Sequence, residues 1–213
     1  MRFTKLGHSC VRLEKDGAVL VIDPGTFTDA VAALAGATSV LITHEHPDHF
    51  DADAIRAALQ ADPDLTLGAN RSVTEQLSEF GDRVYETRHG AALSVAGFSV
   101  HVYGVEHALI HQDIPLVVNN GFLVEGELFH PGDSYTIPPE PVGTLLVPIS
   151  APWLKAGEMI DYFRAVAPAR GYAIHDGILN EAGLALMTRM LSVAAAPSGA
   201  PVARLEPGTT LDL

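Results

Sequence analysis

A single cysteine, Cys10, is all the thiol this 213-residue chain has. An internal disulfide is therefore excluded, and the apolar surroundings of Cys10 fit a packing role in a reducing compartment. Basic residues are also scarce: 13 Lys and Arg stand against 26 acids, for a formal charge of −13. That balance argues against a surface built to neutralise nucleic-acid phosphates. No run of about 18 uncharged apolar residues occurs, and residues 1–8 contain no apolar core of an export signal, so neither a membrane span nor secretion is read and the cytoplasm is the expected location. Gly-x-Ser-x-Gly, Gly-x-x-x-x-Gly-Lys, Gly-x-Gly-x-x-Gly and Cys-x-x-Cys are all missing, which removes the common serine-hydrolase, phosphate-loop, dinucleotide and dithiol chemistries. With 47% hydrophobic and 18% charged residues the chain is not disordered, and its length suits one domain over residues 1–213.

What the sequence has in excess is histidine, ten in all. Around them, short β runs are divided by Gly, Pro and Asp. Strands are expected over 2–6, 9–13 and 18–23, with Asp16-Gly17 as the turn between the second and third. An Ala-rich helix follows over 28–35, then a buried strand over 39–43 and a helix over 51–59. After a short strand over 65–67, Ser72 and Glu75 have the spacing of a capping box for a helix reaching Phe80. Two hairpins are read further on, 93–95 with 98–103 across Ala96-Gly97, and 119–124 with 127–130 across Glu125-Gly126. Strands over 144–147 and 172–174 alternate with helices around 159–166 and 181–191, and 202–204 and 210–213 close an edge. Strand groups alternating with helices, mixing hairpins and crossovers, give an α/β class with mixed sheets.

The segment Thr43-His44-Glu45-His46-Pro47-Asp48-His49 places three imidazoles and the Asp48 carboxylate in six positions directly after the apolar run Val40-Leu41-Ile42. In an extended segment His44 and His46 point to the same side and reach one cation; Pro47 breaks the extension and carries Asp48 and His49 toward a second position. Imidazole with carboxylate suits zinc, and also manganese or iron. One segment cannot complete two metal shells, and the ends of other strands offer His107, Asp133 and His175. The loop after residue 103 carries both His107 and His111 as the third imidazole, with His107 nearer the strand end. The other of the two, His111, is expected to shape the pocket or protonate a leaving group. His8 is a candidate for the same task or for orienting a ligand. His89, His101 and His130 read as hydrogen-bonded structural residues, and Tyr135 and Trp153 as either pocket walls or core.

In order and spacing, His44, His46, Asp48, His49, His107, Asp133 and His175 resemble the His-x-His-x-Asp-His…His…Asp…His pattern of the metallo-β-lactamase fold superfamily of metal-dependent hydrolases. Gly7-His8-Ser9, Asp23-Pro24-Gly25 and Gly132-Asp133-Ser134 fall in the same order. The early His8 and the small size look most like the branch with ascorbate-6-phosphate lactonase-like and N-acyl-phosphatidylethanolamine phospholipase D-like enzymes. The resemblance implies a four-layer αββα sandwich, one divalent ion on His44, His46 and His107, another on Asp48, His49 and His175, and Asp133 bridging. It further implies a hydroxide held between two ions, zinc first, with Asp48 and Asp133 in the catalytic centre and about one net positive charge left for an anionic small-molecule substrate. The expected reaction is hydrolysis of a phosphodiester, lactone or related ester. A mononuclear iron dioxygenase on the same scaffold is the alternative, although it leaves Asp48, His49 and His175 without a metal; a metal-binding module without turnover is the other. The acidic balance disfavours an RNA-processing member of the superfamily.

Overall fold

Side-chain alternation along each strand sets the layering. The computed structural model describes residues 1–213. Its chain runs through β1 (Arg2–Gly7), β2 (Cys10–Lys15), β3 (Ala18–Ile22), α1 (Ala30–Leu34), β4 (Ser39–Ile42), α2 (Ala52–Ala61), β5 (Thr66–Ala69), α3 (Arg71–Gln76), a 3₁₀ segment (Ser78–Arg83) and β6 (Val84–Glu86). The second half follows as β7 (Ala92–Val95), β8 (Phe98–Tyr103), β9 (Gly121–Val124), β10 (Leu128–His130), β11 (Thr144–Pro148), α4 (Ala156–Val166), β12 (Arg170–Ile174), α5 (Glu181–Ala195), β13 (Val202–Ala203) and β14 (Thr210–Asp212). On β3, Leu20 and Ile22 join Leu41 of β4 in a central core that also takes Phe98, Val100, Phe122, Leu146 and Ile174 from the other half. The alternate residues Val21, Val40 and Ile42 turn the other way, onto Ile55 and Leu59 of α2. Leu145, Val147 and Ala173 likewise turn away from the centre onto Met159, Phe163 and Leu191 of α4 and α5. Strands buried on both faces read as continuous apolar runs, and three cores between four layers are the consequence. The expected αββα sandwich is the observed one.

Each layer of strands is a seven-stranded mixed sheet, in the orders β14-β1-β2-β3-β4-β5-β6 and β13-β12-β11-β10-β9-β8-β7. Antiparallel pairing from β1 to β3 gives way to parallel pairing from β3 to β6, and the second sheet repeats the scheme from β7 to β10 and from β10 to β13. Three hairpin turns, Asp16-Gly17, Ala96-Gly97 and Glu125-Gly126, place both residues at positive φ, the paired conformation that matches strand twist in a two-residue loop. Because two antiparallel steps restore direction, β1 runs with β3 and β4, and β8 runs with β10 and β12. The carboxyl ends of all six strands therefore lie on common rims, where ligand sites of layered α/β proteins gather.

Three helix starts differ from the sequence expectation, α1 beginning at Ala30 rather than at residue 28, and α2 and α3 each by a residue or two. The side chain of Asn70, not Ser72, accepts from the amides of Ser72 and Val73 and caps α3. That helix ends at Gln76, where Leu77 turns out of helical geometry at φ −117 and ψ 20, and Gly81, at φ 59 and ψ −137, breaks the 3₁₀ segment that follows. Asp51 caps α2 from the residue before the expected apolar face, and its side chain accepts from the Ala54 amide at 3.0 Å. The strand β6 was not anticipated; its three residues are too few to show a period. Cys10 is buried in the core between the first sheet and its helices, and burial pushes its thiol pKa up, in keeping with a packing role. No helix is long and apolar enough to cross a membrane.

Phe98 is fully buried where the two sheets meet. Phe98→Ala is expected to lower unfolding free energy by about 3–5 kcal/mol, read as a fall in denaturant midpoint at unchanged slope.

Candidate metal centre

Six loop ends meet on the shared rim. His8 follows β1, Asp23 follows β3, and the segment from Thr43 to His49 follows β4. His107 lies on the loop after β8, Asp133 follows β10, and His175 follows β12. Three overlapping groups of donor atoms result, each with its members within 4.8 Å of one another: His44, His46 and His107 form one, His8, Asp48, His49 and His175 a second, and His44, His49 and Asp133 a third that joins them. Asp133 stands between the first two. Its Oδ1 is 3.1 Å from His49 Nε2, and its Oδ2 is 3.1 Å from His175 Nε2 and 3.3 Å from His107 Nε2. All seven side chains expected as ligands are thus brought together.

Hydrogen bonds at the far ring nitrogens decide which atom each imidazole presents. A carbonyl or carboxylate can only accept, so Nδ1–H of His107 donates to the Ala108 carbonyl at 2.6 Å, that of His49 donates to Asp23 Oδ2 at 2.7 Å, and that of His175 donates to the Ser150 carbonyl. The Thr43 hydroxyl donates to Asp23 Oδ2 at 2.7 Å and accepts from His44 Nδ1 at 3.0 Å. Four rings are thereby held with Nε2 aimed inward, the orientation that partners outside a metal's ligand shell impose. His46 enters from the other side, its Nδ1 3.1 Å from His44 Nε2. The buried atoms His49 Nε2, His107 Nε2, His175 Nε2 and Asp133 Oδ1 have no aligned hydrogen-bond partner. Four such atoms facing one another in one place are a liability without a cation and fit ligation with one.

The backbone is forced into unusual shapes to achieve this. Outside the hairpin turns and one helix end, the non-glycine residues at positive φ are His8 (37), Asp23 (53) and His175 (58), all at the centre. Left-handed backbone at such residues costs on the order of 1–3 kcal/mol each and persists where its surroundings hold it. Those surroundings are visible. The His175 amide donates to the His8 carbonyl at 3.0 Å, and the Gly177 amide donates to His8 Nδ1 at 3.0 Å. With Nδ1 accepting, His8 carries its proton on Nε2 and donates it to Asp48 Oδ2 at 3.2 Å. Burial keeps His8 below the usual histidine range, consistent with this neutral form. Beside His175, buried Asp176 accepts from Lys5 Nζ and Arg204 Nε, both at 2.8 Å, which ties the loop to both sheets. Gly25 has no room for a side chain, since a Cβ there would lie 2.0 Å from the Asp48 carbonyl oxygen.

Electrostatics divide His44 and His46 from His49 and His175. Burial holds His44 well below the usual histidine range, and burial followed by the neighbouring His107 lowers His46. For His49, burial disfavours the charged form, yet Asp133 and Asp23 outweigh it and raise the pKa well above the usual value. His175 is similarly carried past its desolvation by Asp133 and Asp48, to about 9. Burial alone would raise Asp48 and Asp133, but the surrounding imidazoles depress both.

His111 is not brought to the centre. Its side chain is 59% exposed, and its Nδ1 accepts from the Asp113 amide in the turn that the two residues form. His130 is buried and structural as expected, donating from Nε2 to the Ser9 carbonyl and accepting the Gly132 amide on Nδ1. His89 accepts the Gly104 amide, and His101 pairs with Glu140. Two contributors escaped sequence reasoning. Asp23 reads from sequence only as the end of the third strand and part of an Asp-Pro-Gly segment shared with the superfamily, and that context gives no sign of a partner 26 positions away. The Trp153 indole N–H donates to Asp133 Oδ2 at 2.9 Å, where only a wall or core residue had been seen.

Two mixed sheets enclosed by helices, with this His and Asp cluster at their rim, define the metallo-β-lactamase fold. The chain belongs to the beta-lactamase superfamily domain family, whose pattern it matches over residues 2–175. It is 39% identical over 184 residues to protein Rv0786c of Mycobacterium tuberculosis, covering 84% of this chain and 85% of that one. It is 33% identical over 150 residues to a UPF0173 metal-dependent hydrolase of Methylocella silvestris, covering 63% of each. Among solved structures, Igni18, a metallo hydrolase from the hyperthermophilic archaeon Ignicoccus hospitalis, superposes with a TM-score of 0.74 at 18% identity over 100% of this chain and 98% of that one, a likeness of fold.

Asp23→Asn should present an amide N–H to His49 Nδ1, forcing the ring to accept there and to carry its proton on Nε2. Zinc affinity by competition titration is expected to fall about 10- to 100-fold, with little change in far-UV circular dichroism. Because His175 gives up its proton only near pH 9, a cation must displace that proton at lower pH. Zinc affinity should therefore rise with pH until about 9, with proton release measured calorimetrically in buffers of different ionisation enthalpy.

Proposed function

We propose that this protein is a metal-dependent hydrolase that uses two divalent cations, zinc first and manganese or iron as the other metals its donors accept, to cleave an ester-type bond in a small molecule. A phosphodiester, a lactone or a related ester is the bond class, and an anionic or strongly polarised group is what such a centre attracts. The observation that carries the reading is the set of four buried, unpartnered donor atoms on His49, His107, His175 and Asp133. The name of the Methylocella relative, a metal-dependent hydrolase, supports it. We further infer the lactonase-like and phospholipase D-like branch from the placement of His8, which contacts Asp48.

His44, His46 and His107 would hold one cation and Asp48, His49 and His175 the other, with Asp133 between them. Bound cations of this kind supply Lewis acidity, polarising the scissile oxygen and acidifying water at neutral pH. The chain's own residues keep the donors in place for that work. Asp23 fixes His49, the Thr43 hydroxyl fixes His44, and Trp153 holds Asp133 Oδ2 while leaving Oδ1 free. His8 holds Asp48 through one hydrogen bond, so Asp48 stays ionised and oriented. Preorganised donors of this sort cost no rearrangement when the substrate arrives.

Metal analysis of zinc-loaded protein is expected to return roughly two ions per chain, with hydrolysis of bis(p-nitrophenyl) phosphate or a member of a lactone panel. His46→Ala should abolish turnover while preserving the fold. One iron per chain with oxygen uptake would replace this reading with dioxygenation, and no bound ion at all would end it.

A further inference from the structure

After β12 the chain leaves the sheet and closes on His8. The His175 amide donates to the His8 carbonyl and the Gly177 amide to His8 Nδ1, both at 3.0 Å, and the rings of His8 and His175 lie with centroids 4.0 Å apart. His175, Asp176 and Gly177 thus form a clamp around His8, on the side of the centre where Asp48 and His49 complete the second donor group. The clamp is tight: a Cβ on Gly177 would lie 3.0 Å from His8 Nδ1 and 3.3 Å from His8 Cβ. Little packing supports it from outside. Gly177 and Ile178 are exposed, and an open cavity of about 470 Å³ borders His8, Asp176 and Gly177.

Charge at Asp176 supplies the support. Its buried carboxylate accepts from Lys5 Nζ on Oδ1 and from Arg204 Nε on Oδ2, both at 2.8 Å. Arg204 also donates to Glu206, a surface residue, so two cations face two anions. Lys5 is the costly member. Alternation along β1 puts it on the same face as Phe3, which packs in the central core, and both residues are fully buried. Burial pushes the Lys5 ammonium below the usual lysine range, against the pull of Asp176. An apolar pair of similar volume in place of a buried ion pair is often neutral or stabilising, so stability is a poor reason for this lysine. Fixing the path of one segment is a better one, because a buried charge tolerates only the position that meets its partner.

We propose that Lys5 and Asp176 are positioning residues for the second cation. Their ion pair holds the clamp on His8, and thereby places His175 directly and Asp48 through the hydrogen bond from His8 Nε2. The donors of the first group take their positions from elsewhere: the Thr43 hydroxyl orients His44, and the Ala108 carbonyl orients His107. The ion pair therefore acts on one cation and not on the other. The inference rests on the two-cation reading for what the donors hold, and on the ion pair and the clamp alone for how His8 is placed.

Lys5→Met combined with Asp176→Leu removes both charges, leaves Arg204 with Glu206 and fills the space with apolar atoms. Its denaturant midpoint should stay close to the parent value. Competition titration should show one of the two zinc affinities falling about 10- to 100-fold and the other unchanged. Adding His46→Ala to disable the first group should leave the weakened affinity as the one observed. Lys5→Met alone, with Asp176 still paired to Arg204, should shift the same affinity in the same direction by less, and serves where the double variant does not fold. A further measurement needs no metal. Nitrogen-15 spectra of histidine-labelled, metal-free protein, with His8→Gln identifying the signal, should show His8 protonated on Nε2 in the parent and on either nitrogen in the double variant. Unchanged zinc affinities, a fall shared equally by both ions, or an unaltered His8 tautomer overturns the proposal. A parent that binds fewer than two ions, with the His8 tautomer still lost in the double variant, removes the two-cation reading and leaves the hold of the ion pair on His8. Two ions in the parent with the tautomer unaltered leaves the hydrolase centre and removes the clamp.

Discussion

Imidazole nitrogens and carboxylate oxygens crowd into one buried place in this protein, and their mutual desolvation shapes the surrounding fold. Asp133 alone has three ring nitrogens within 3.3 Å. Burying such groups costs several kcal/mol per ion unless charge and hydrogen bonding compensate. The compensation comes in two layers. Within the chain, the carboxylates hold His49 and His175 above the usual histidine range and the imidazoles hold Asp48 and Asp133 below the usual carboxylate range, each against the effect of burial. A divalent cation would compensate the same carboxylates and satisfy the unpartnered nitrogens, so metal binding and fold stability draw on the same donor set.

Rigidity around the centre follows from where the donors are mounted. They sit at the carboxyl ends of strands in both sheets, and the two sheets share a fully buried core. Left-handed backbone at His8 and His175 is sustained by bonds across that interface, and that at Asp23 by Thr43 and His49 on its own side. The bonds across the interface include the His175 amide on the His8 carbonyl and the Lys5–Asp176–Arg204 ion network. Neither sheet alone could hold the cluster, because His44, His46, Asp48 and His49 belong to one and His107, Asp133 and His175 to the other.

Much of this was readable before any coordinates. The His-x-His-x-Asp-His segment is local, so spacing alone tells which side chains share a face and where Pro47 redirects the chain. The apolar runs at 39–43 and 144–147 announce strands covered on both sides, and three Xaa-Gly turns announce hairpins. The helix start at Asn70 was misplaced to Ser72 because both residues can cap, and only the backbone path decides which hydroxyl or amide meets the free N–H groups. β6 was missed because three residues carry no period.

By itself the amino-acid order determined the donor types of the His-x-His-x-Asp-His segment and an α/β class with mixed sheets, since each depends on residue type and near-neighbour periodicity. The four-layer build and the full set of seven candidate positions followed from the resemblance to the metallo-β-lactamase fold superfamily. Tertiary structure decided what depends on distant loop ends meeting. It brought His107 rather than His111 to the cluster, made Asp23 the partner of His49, set the Trp153 indole on Asp133, and gave His8 its hydrogen bond to Asp48. These pairs lie 20 or more residues apart, or in the His107 case turn on the path of one irregular loop, and no repeat in the sequence encodes a contact that exists only after two sheets have closed on each other.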